Sequence, residues 1–361
     1  MVDWKIGELL RLQSRPIFIA FTVIGVLSLA ILPIGTTLLV DSAYADIVRH
    51  HTIPVGDGPA DIAFDPNNGD LYVTNGGDEI NPGNTVTVIN GATNKVVGSP
   101  IVVGSLPVGI TFDANNGYLY VANFFSNSVS VIDGATNTVV GSPIPVGDGP
   151  SDIAFDPDNG YLYVANTLCT DTGSTITVID GATNTVVDSI PMSYAAGIAF
   201  DPDNGYLYVT TEDCESGYGV SVIDGTTNTV VGSPITVGNL PTHIAFDPDN
   251  GYLYVINNID STVSVIDGAT NSVVGSPIAV GSCPGDIAFD PDNGYLYVTS
   301  YCSSTVHVID GTTNTLVGSP IALGSSGPIG ITYDSSNHRL YVANNISKDV
   351  SVIHVTPSHK K

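Results

Sequence analysis

Seven copies of a unit of about 44 residues run through this chain, a period that marks an array of stacked units. Their equivalent isoleucines are Ile53, Ile101, Ile144, Ile190, Ile235, Ile278 and Ile321, spaced by 48, 43, 46, 45, 43 and 43 residues. Such a unit cannot bury its apolar face alone, so neighbours must stack to make a core. Each copy holds four short runs. In the second they are Gly109–Asp113 (GITFD), Tyr118–Asn123 (YLYVAN), Asn127–Asp133 (NSVSVID) and Thr138–Val146 (TVVGSPIPV). β-Branched and aromatic residues at period two, broken by turn residues, predict strands and exclude helix.

The turns are equally regular. Asp-Pro-Asp-Asn-Gly joins the first two strands at 156–160, 201–205, 247–251 and 290–294. Proline suits the first central position of a type I turn, and glycine takes the left-handed residue that follows. Asp-Gly-(Ala/Thr)-Thr-Asn joins the third and fourth strands at 133–137, 180–184, 224–228, 267–271 and 310–314. Glycine at the fifth place of DPDNG is incompatible with an EF-hand calcium loop, which needs an oxygen ligand there.

Four antiparallel strands in each of seven units predict an all-β, seven-bladed β-propeller. The last copy has Gly330–Asp334, Arg339–Asn344 and Asp349–Val355 but no fourth strand, whereas Asp46–Gly56 aligns with the fourth strand Asn137–Gly147. The N-terminal strand should therefore complete the C-terminal blade and close the ring, leaving no open sheet edge at the seam. The propeller spans residues 46–356, with 357–361 as a tail.

Residues 1–45 are of another kind. Lys5, Arg11 and Arg15 precede an apolar run from Ile17 to Val40, and Ala43-Tyr44-Ala45 has the small-x-small form of a signal-peptidase site. A cleaved signal peptide is expected, with an uncleaved anchor through residues 17–40 as the alternative and the only membrane contact. Either way the propeller is extracytoplasmic, secreted or at the cell surface. The 35 acidic against 9 basic residues give a net charge of −26, unchanged when 1–45 are removed. Such a surface repels nucleic acid and attracts cations and basic partners.

The second strands read Tyr72-Val-Thr-Asn75, Tyr120-Val-Ala-Asn123, Tyr163-Val-Ala-Asn166, Tyr254-Val-Ile-Asn257 and Tyr341-Val-Ala-Asn344, with departures at Tyr208-Val-Thr-Thr211 and Tyr297-Val-Thr-Ser300. This resembles the YVTN family of β-propeller repeats over essentially all of residues 46–356. The resemblance implies the fold and an exported or surface-layer setting, and it implies no activity. The asparagine is expected to serve strand-end hydrogen bonding.

In a four-stranded blade the fourth-to-first and second-to-third loops share one face. All the irregularity falls there: insertions at Gly76–Asn84, Thr167–Ser174 and Glu212–Gly219. Variable loops on a rigid scaffold are where binding is expected. All four cysteines map to this face. In an exported chain they read as staples, Cys283–Cys302 within one blade and Cys169–Cys214 between neighbours, and their spacing fits no CxxC metal or redox site. Continuing the register of Asp290 opposite Tyr295 places Cys283 opposite Cys302.

Three further groups are candidate sites. Asp171, Glu212, Asp213 and Glu215 lie in these loops, where calcium is the cation such carboxylates would hold; solvated loop charge is the plainer reading. Phe124 and Phe125 are candidates for partner contact, against aromatics folded over the next blade. At the start of the innermost strands stand Asp61, Gly109, Asp152, Gly197, His243, Asp286 and Gly330. The three aspartates and His243 could bind a metal at the channel mouth, or the aspartates could simply satisfy backbone groups. His307 is a lone strand residue, and Asn345-Ile346-Ser347 is a glycosylation sequon.

Together these features favour a non-enzymatic propeller with no cofactor, binding a protein or cell-envelope component through its variable face. The alternative is a metal-assisted hydrolase or lyase, because relatives of similar repeat form include lactonase-like enzymes.

Overall fold

A computed structural model describes residues 51–168, 174–192, 194–213 and 217–355, with the side chains of 212–218 left out. The expected signal segment, the Cys169–Cys214 pairing, Asp171, Glu215 and the side chains of Glu212 and Asp213 lie outside the described residues.

The described chain forms seven antiparallel sheets, each joining consecutive strands in sequence order except at the seam. Blade 3 is typical: Pro150–Asp156, Tyr161–Asn166, Thr175–Asp180 and Thr185–Pro191 run from centre to rim. Asp156 pairs with Tyr161 across the first turn, and a bulge between Pro150 and Asp152 shifts the register at the loop end of the innermost strand. In blades 2 and 6 the outer strand is split, into Thr138–Val139 with Ile144–Pro145 and Thr315–Leu316 with Ile321–Ala322. Left-handed Gly141 and Gly318 lie at these breaks, whereas Gly98, Gly232 and Gly275 take the same conformation inside outer strands that remain continuous. A bulged, proline-bearing rim is a poor template for pairing with a second sheet.

Each apolar cluster lies between two blades. Tyr120, Ala122, Val129, Val131 and Ile144 of blade 2 pack against Ile153, Leu162, Val164 and Ile179 of blade 3. In YLYV the leucine and valine face the preceding blade while the tyrosine and the residue after valine face the next, so period two fills both interfaces. The seam follows the same rule. Strand His51–Pro54 pairs antiparallel with Asp349–His354, placing Ile53 opposite Val350. Ile53 then packs with Tyr341 and Val352 of blade 7 and with Ile62, Leu71 and Val73 of blade 1. The N-terminal strand closes the ring as the alignment predicts.

Candidate functional site

The two faces of the wheel use their side chains differently. On the face of the first-to-second and third-to-fourth turns, repeated residues lock each blade to the next. Tyr72 of blade 1 donates its hydroxyl to Gly134 O (3.1 Å) and Asn137 Oδ1 (2.6 Å) of blade 2, and Asn68 Nδ2 donates to the same Gly134 O at 2.8 Å. The arrangement recurs from Tyr120, Tyr163, Tyr208 and Tyr254 to the next turn in each case, and Tyr341 returns it to Gly91 and Asn94 of blade 1. All seven tyrosines are fully buried, and burial lifts the phenol of Tyr72 to about 12. Within the turn Asp65 Oδ1 accepts the Asn67 amide at 2.8 Å, an Asx turn. The uniformity of these turns follows from their role as inter-blade locks.

The asparagine that ends YVxN works on the other face. Asn75 Oδ1 accepts the Gly56 amide of the incoming loop at 3.0 Å, while its Nδ2 donates to Thr87 Oγ1 on the third strand at 3.0 Å. Asn123 and Asn257 do the same with Gly104 and Gly238. Blade 6 explains His307. Where asparagine is replaced by Ser300, the hydroxyl residue of the third strand is replaced by His307. Its ring reaches the space beside Gly281 that the asparagine fills elsewhere, and burial lowers its pKa. A small-for-large change is offset by a large-for-small one.

The innermost strands carry the polar ring. Asp61 Oδ1 accepts its own strand's Ile62 amide (2.7 Å), and Oδ2 accepts the Ile110 amide of blade 2 (2.9 Å). Asp152 bridges Ile153 and Ile198 of blade 4, and Asp286 bridges Ile287 and Ile331 of blade 7. Each blade that receives such a bond has glycine at the equivalent position: Gly109, Gly197 and Gly330. A Cβ on Gly109 would sit 2.5 Å from Ser151 O, and on Gly330 2.5 Å from Ala60 O, so the close approach of successive inner strands demands glycine. The carboxylates also feel one another. Burial, then Asp286 and Asp152, push Asp61 up to about 7; burial and Asp152 push Asp286 up to about 7. Burial also raises Asp152, opposed by His243. The backbone groups these aspartates hold are inner-strand amides of their own and the next blade, not groups of the fourth-to-first loop. Among the described residues no three His, Cys, Asp or Glu side chains stand close enough to share a metal ion.

On the loop face Cys283 and Cys302 form a disulfide with Cα atoms 5.5 Å apart. The bulge between Pro284 and Ile287 moves the register by one, so Tyr301 rather than Cys302 donates its amide to Cys283 O. The bridge forms diagonally. Phe124 and Phe125 differ in their surroundings. Phe124 is half-buried against the loop at Gly149 of blade 3, whereas Phe125, in edge-to-face contact with it, is exposed. The long blade 1 loop is a hairpin whose tip is capped by Asp78 Oδ1, which accepts the amides of Ile80 and Asn81.

Closed by a shared blade and locked by tyrosine–asparagine contacts, this is a seven-bladed propeller of YVTN-type repeats. The chain belongs to the YNCE-like β-propeller family, whose model matches residues 85–357. A comparison with curated proteins gives no significant match. Among solved structures it is similar to Kuenenia stuttgartiensis hydrazine synthase, at TM-score 0.72 and 23% identity over 86% of this chain and 99% of that one. It is also similar to a chain of a mitotic checkpoint complex, at TM-score 0.71 and 12% identity over 92% and 99%. At these identities the likeness is one of fold.

Proposed function

We propose that this protein is an exported, non-enzymatic propeller that serves as a binding module at the cell surface or envelope, with its variable loop face as the contact surface. One observation carries the reading. The repeated side chains of the opposite face are spent on inter-blade bonds, from Tyr72 through Tyr341, whereas the loop face holds the insertions and the exposed apolar loop residues. A face whose groups are already paired offers a partner little; a rigid rim of unequal loops offers much. The net charge of −26 and the signal-like residues 1–45 support an extracytoplasmic setting.

The test is fractionation of the producing cell with the natural chain and two variants. Replacing Gly76–Asn84 by a short Gly-Ser link should release the protein from the envelope fraction. Substituting the exposed opposite-face residues Thr226 and Ala269 by serine should not. Retention in the cytoplasm, or equal envelope association of all three, would overturn the reading.

A further inference from the structure

Thirteen large apolar side chains are strongly exposed among the described residues, and their positions follow a rule. Eight sit on outer strands. The other five are Ile80, Phe125, Leu168, Ile259 and Ile346, and every one lies in a second-to-third loop on the variable face. Four of them occupy the same place, two residues after the asparagine of YVxN: Phe125 after Asn123, Leu168 after Asn166, Ile259 after Asn257 and Ile346 after Asn344. Ile80, at 88% exposure, crowns the blade 1 hairpin. None lies in an opposite-face turn.

These tips are held, not loose. The amides of Phe125 and Leu168 donate to Ser105 O and Asp148 O of the adjoining loops. The residue before three of the tips reaches inward: Asn258 donates to Pro284 O, Asn345 to Pro59 O and Thr167 Oγ1 to Ala195 O, each on the next blade. One position anchors the loop and the following one points an apolar group outward. Presenting such groups on a fixed frame lowers the ordering cost of an encounter.

The charges between the tips are acidic but for one ion-paired lysine. Asp78 and Glu79 precede Ile80, and Asp260 follows Ile259. Asp260 accepts two hydrogen bonds from Asn239, which lower its pKa and keep it ionised. Lys348 is the one Lys or Arg on this face among the described residues, and it pairs with exposed Asp57 at 3.0 Å.

The geometry points to a partner of matching chemistry: a protein segment that interleaves apolar side chains with lysines or arginines, docking its apolar groups on these tips and its cations on the acids between them. This rests on the loop-face reading above and names the class of partner. Anionic lipid surfaces and nucleic acids carry the wrong sign for such a face.

The probe is a synthetic amphipathic Leu/Lys peptide, titrated into the full chain by calorimetry at low and high salt, beside a Leu/Glu peptide and phosphatidylcholine vesicles. The Leu/Lys peptide should bind, more weakly at high salt, and the Leu/Glu peptide and vesicles should not. Phe125→Ser/Ile259→Ser/Ile346→Ser should weaken binding roughly tenfold or more, as loss of apolar anchors does. The outer-strand variant Val230→Ser/Val273→Ser should bind like the natural chain. No binding of the Leu/Lys peptide, equal binding of the Leu/Glu peptide or of vesicles, or an unaffected triple variant would overturn the inference. The envelope fractionation does not depend on partner chemistry, so retained association with failed peptide binding would refute the inference alone.

Discussion

Ring closure predicts a matched pair of stability losses. Ile53 is 3% exposed and belongs to a strand of only four residues, whose pairing partner Val350 lies 297 residues away in sequence. Its counterpart Ile278 in blade 5 is 8% exposed and packs in the same way, with Tyr254 and Ile256 of its own blade and Ile287 and Val298 of the next. Truncating a buried isoleucine to alanine costs about 2–5 kcal/mol, through lost transfer energy and the cavity left behind. If the seam is an ordinary blade interface, Ile53→Ala and Ile278→Ala should each cost about 3 kcal/mol. Deleting residues 46–55 should cost more than Ile53→Ala, since it also strips the hydrogen-bonded partner from strand Asp349–His354. Urea unfolding followed by circular dichroism measures all three. An Ile53→Ala variant within about 0.5 kcal/mol of the natural chain, beside a clearly destabilised Ile278→Ala, would refute the shared blade.

Three further outcomes follow from the same contacts. Tyr120→Phe removes the hydroxyl that binds Gly181 O and Asn184 Oδ1 and should cost about 1–3 kcal/mol in chemical unfolding, because Asn184 Oδ1 loses its donor while Gly181 O keeps only the bond from Asn116 Nδ2; Tyr118→Phe, half-buried at the strand start, should cost less. Asp61 and Asp286, raised to about 7, keep protons in the folded state that the unfolded chain has lost, so their contribution to stability should fall as pH rises from about 4 to 7, by up to about 1.4 kcal/mol per pH unit for each. Asp61→Asn/Asp286→Asn should flatten that slope in melting curves taken across the range, and an unchanged slope would refute the assignment. Reduction of Cys283–Cys302, which closes a loop of 19 residues, should lower stability by about 3 kcal/mol and be matched by Cys283→Ser/Cys302→Ser.

The wheel was legible because its repeat encodes both period-two strands and the turns between them. Blade count, strand order and the swapped strand all follow from aligning the copies. Residues whose role depends on the neighbouring blade were harder to read. Tyr72 and Asn137 lie 65 residues apart, and nothing in either repeat alone says that the hydroxyl of one meets the amide of the next. Ser300 and His307 looked like unrelated departures until their shared space beside Gly281 made them one compensated change. The apolar tips are hard to read in the sequence for a different reason. An isoleucine or leucine in a loop carries no motif, and only its exposure in the fold distinguishes Ile259 or Ile346 from a core residue. The signal was present as a fixed offset from YVxN, visible once the copies are aligned on that asparagine.

The polar ring shows how a repeat can imitate a reactive centre. Asp61, Asp152 and Asp286 each take one amide from their own blade and one from the next, and each receiving blade carries glycine where the inner strands crowd together. Aspartate is followed by glycine on blades 1 and 2, 3 and 4, and 6 and 7, each glycine lying where a Cβ would crowd the blade after it. A ring of seven cannot be divided into pairs, so one blade is left over, and that blade carries His243. Three carboxylates around one channel thus have a cause in blade packing that holds with or without a ligand. His243 stands apart from that pattern: its Nδ1 is buried and lacks a hydrogen-bond partner among the described residues, and it opposes the rise in the pKa of Asp152.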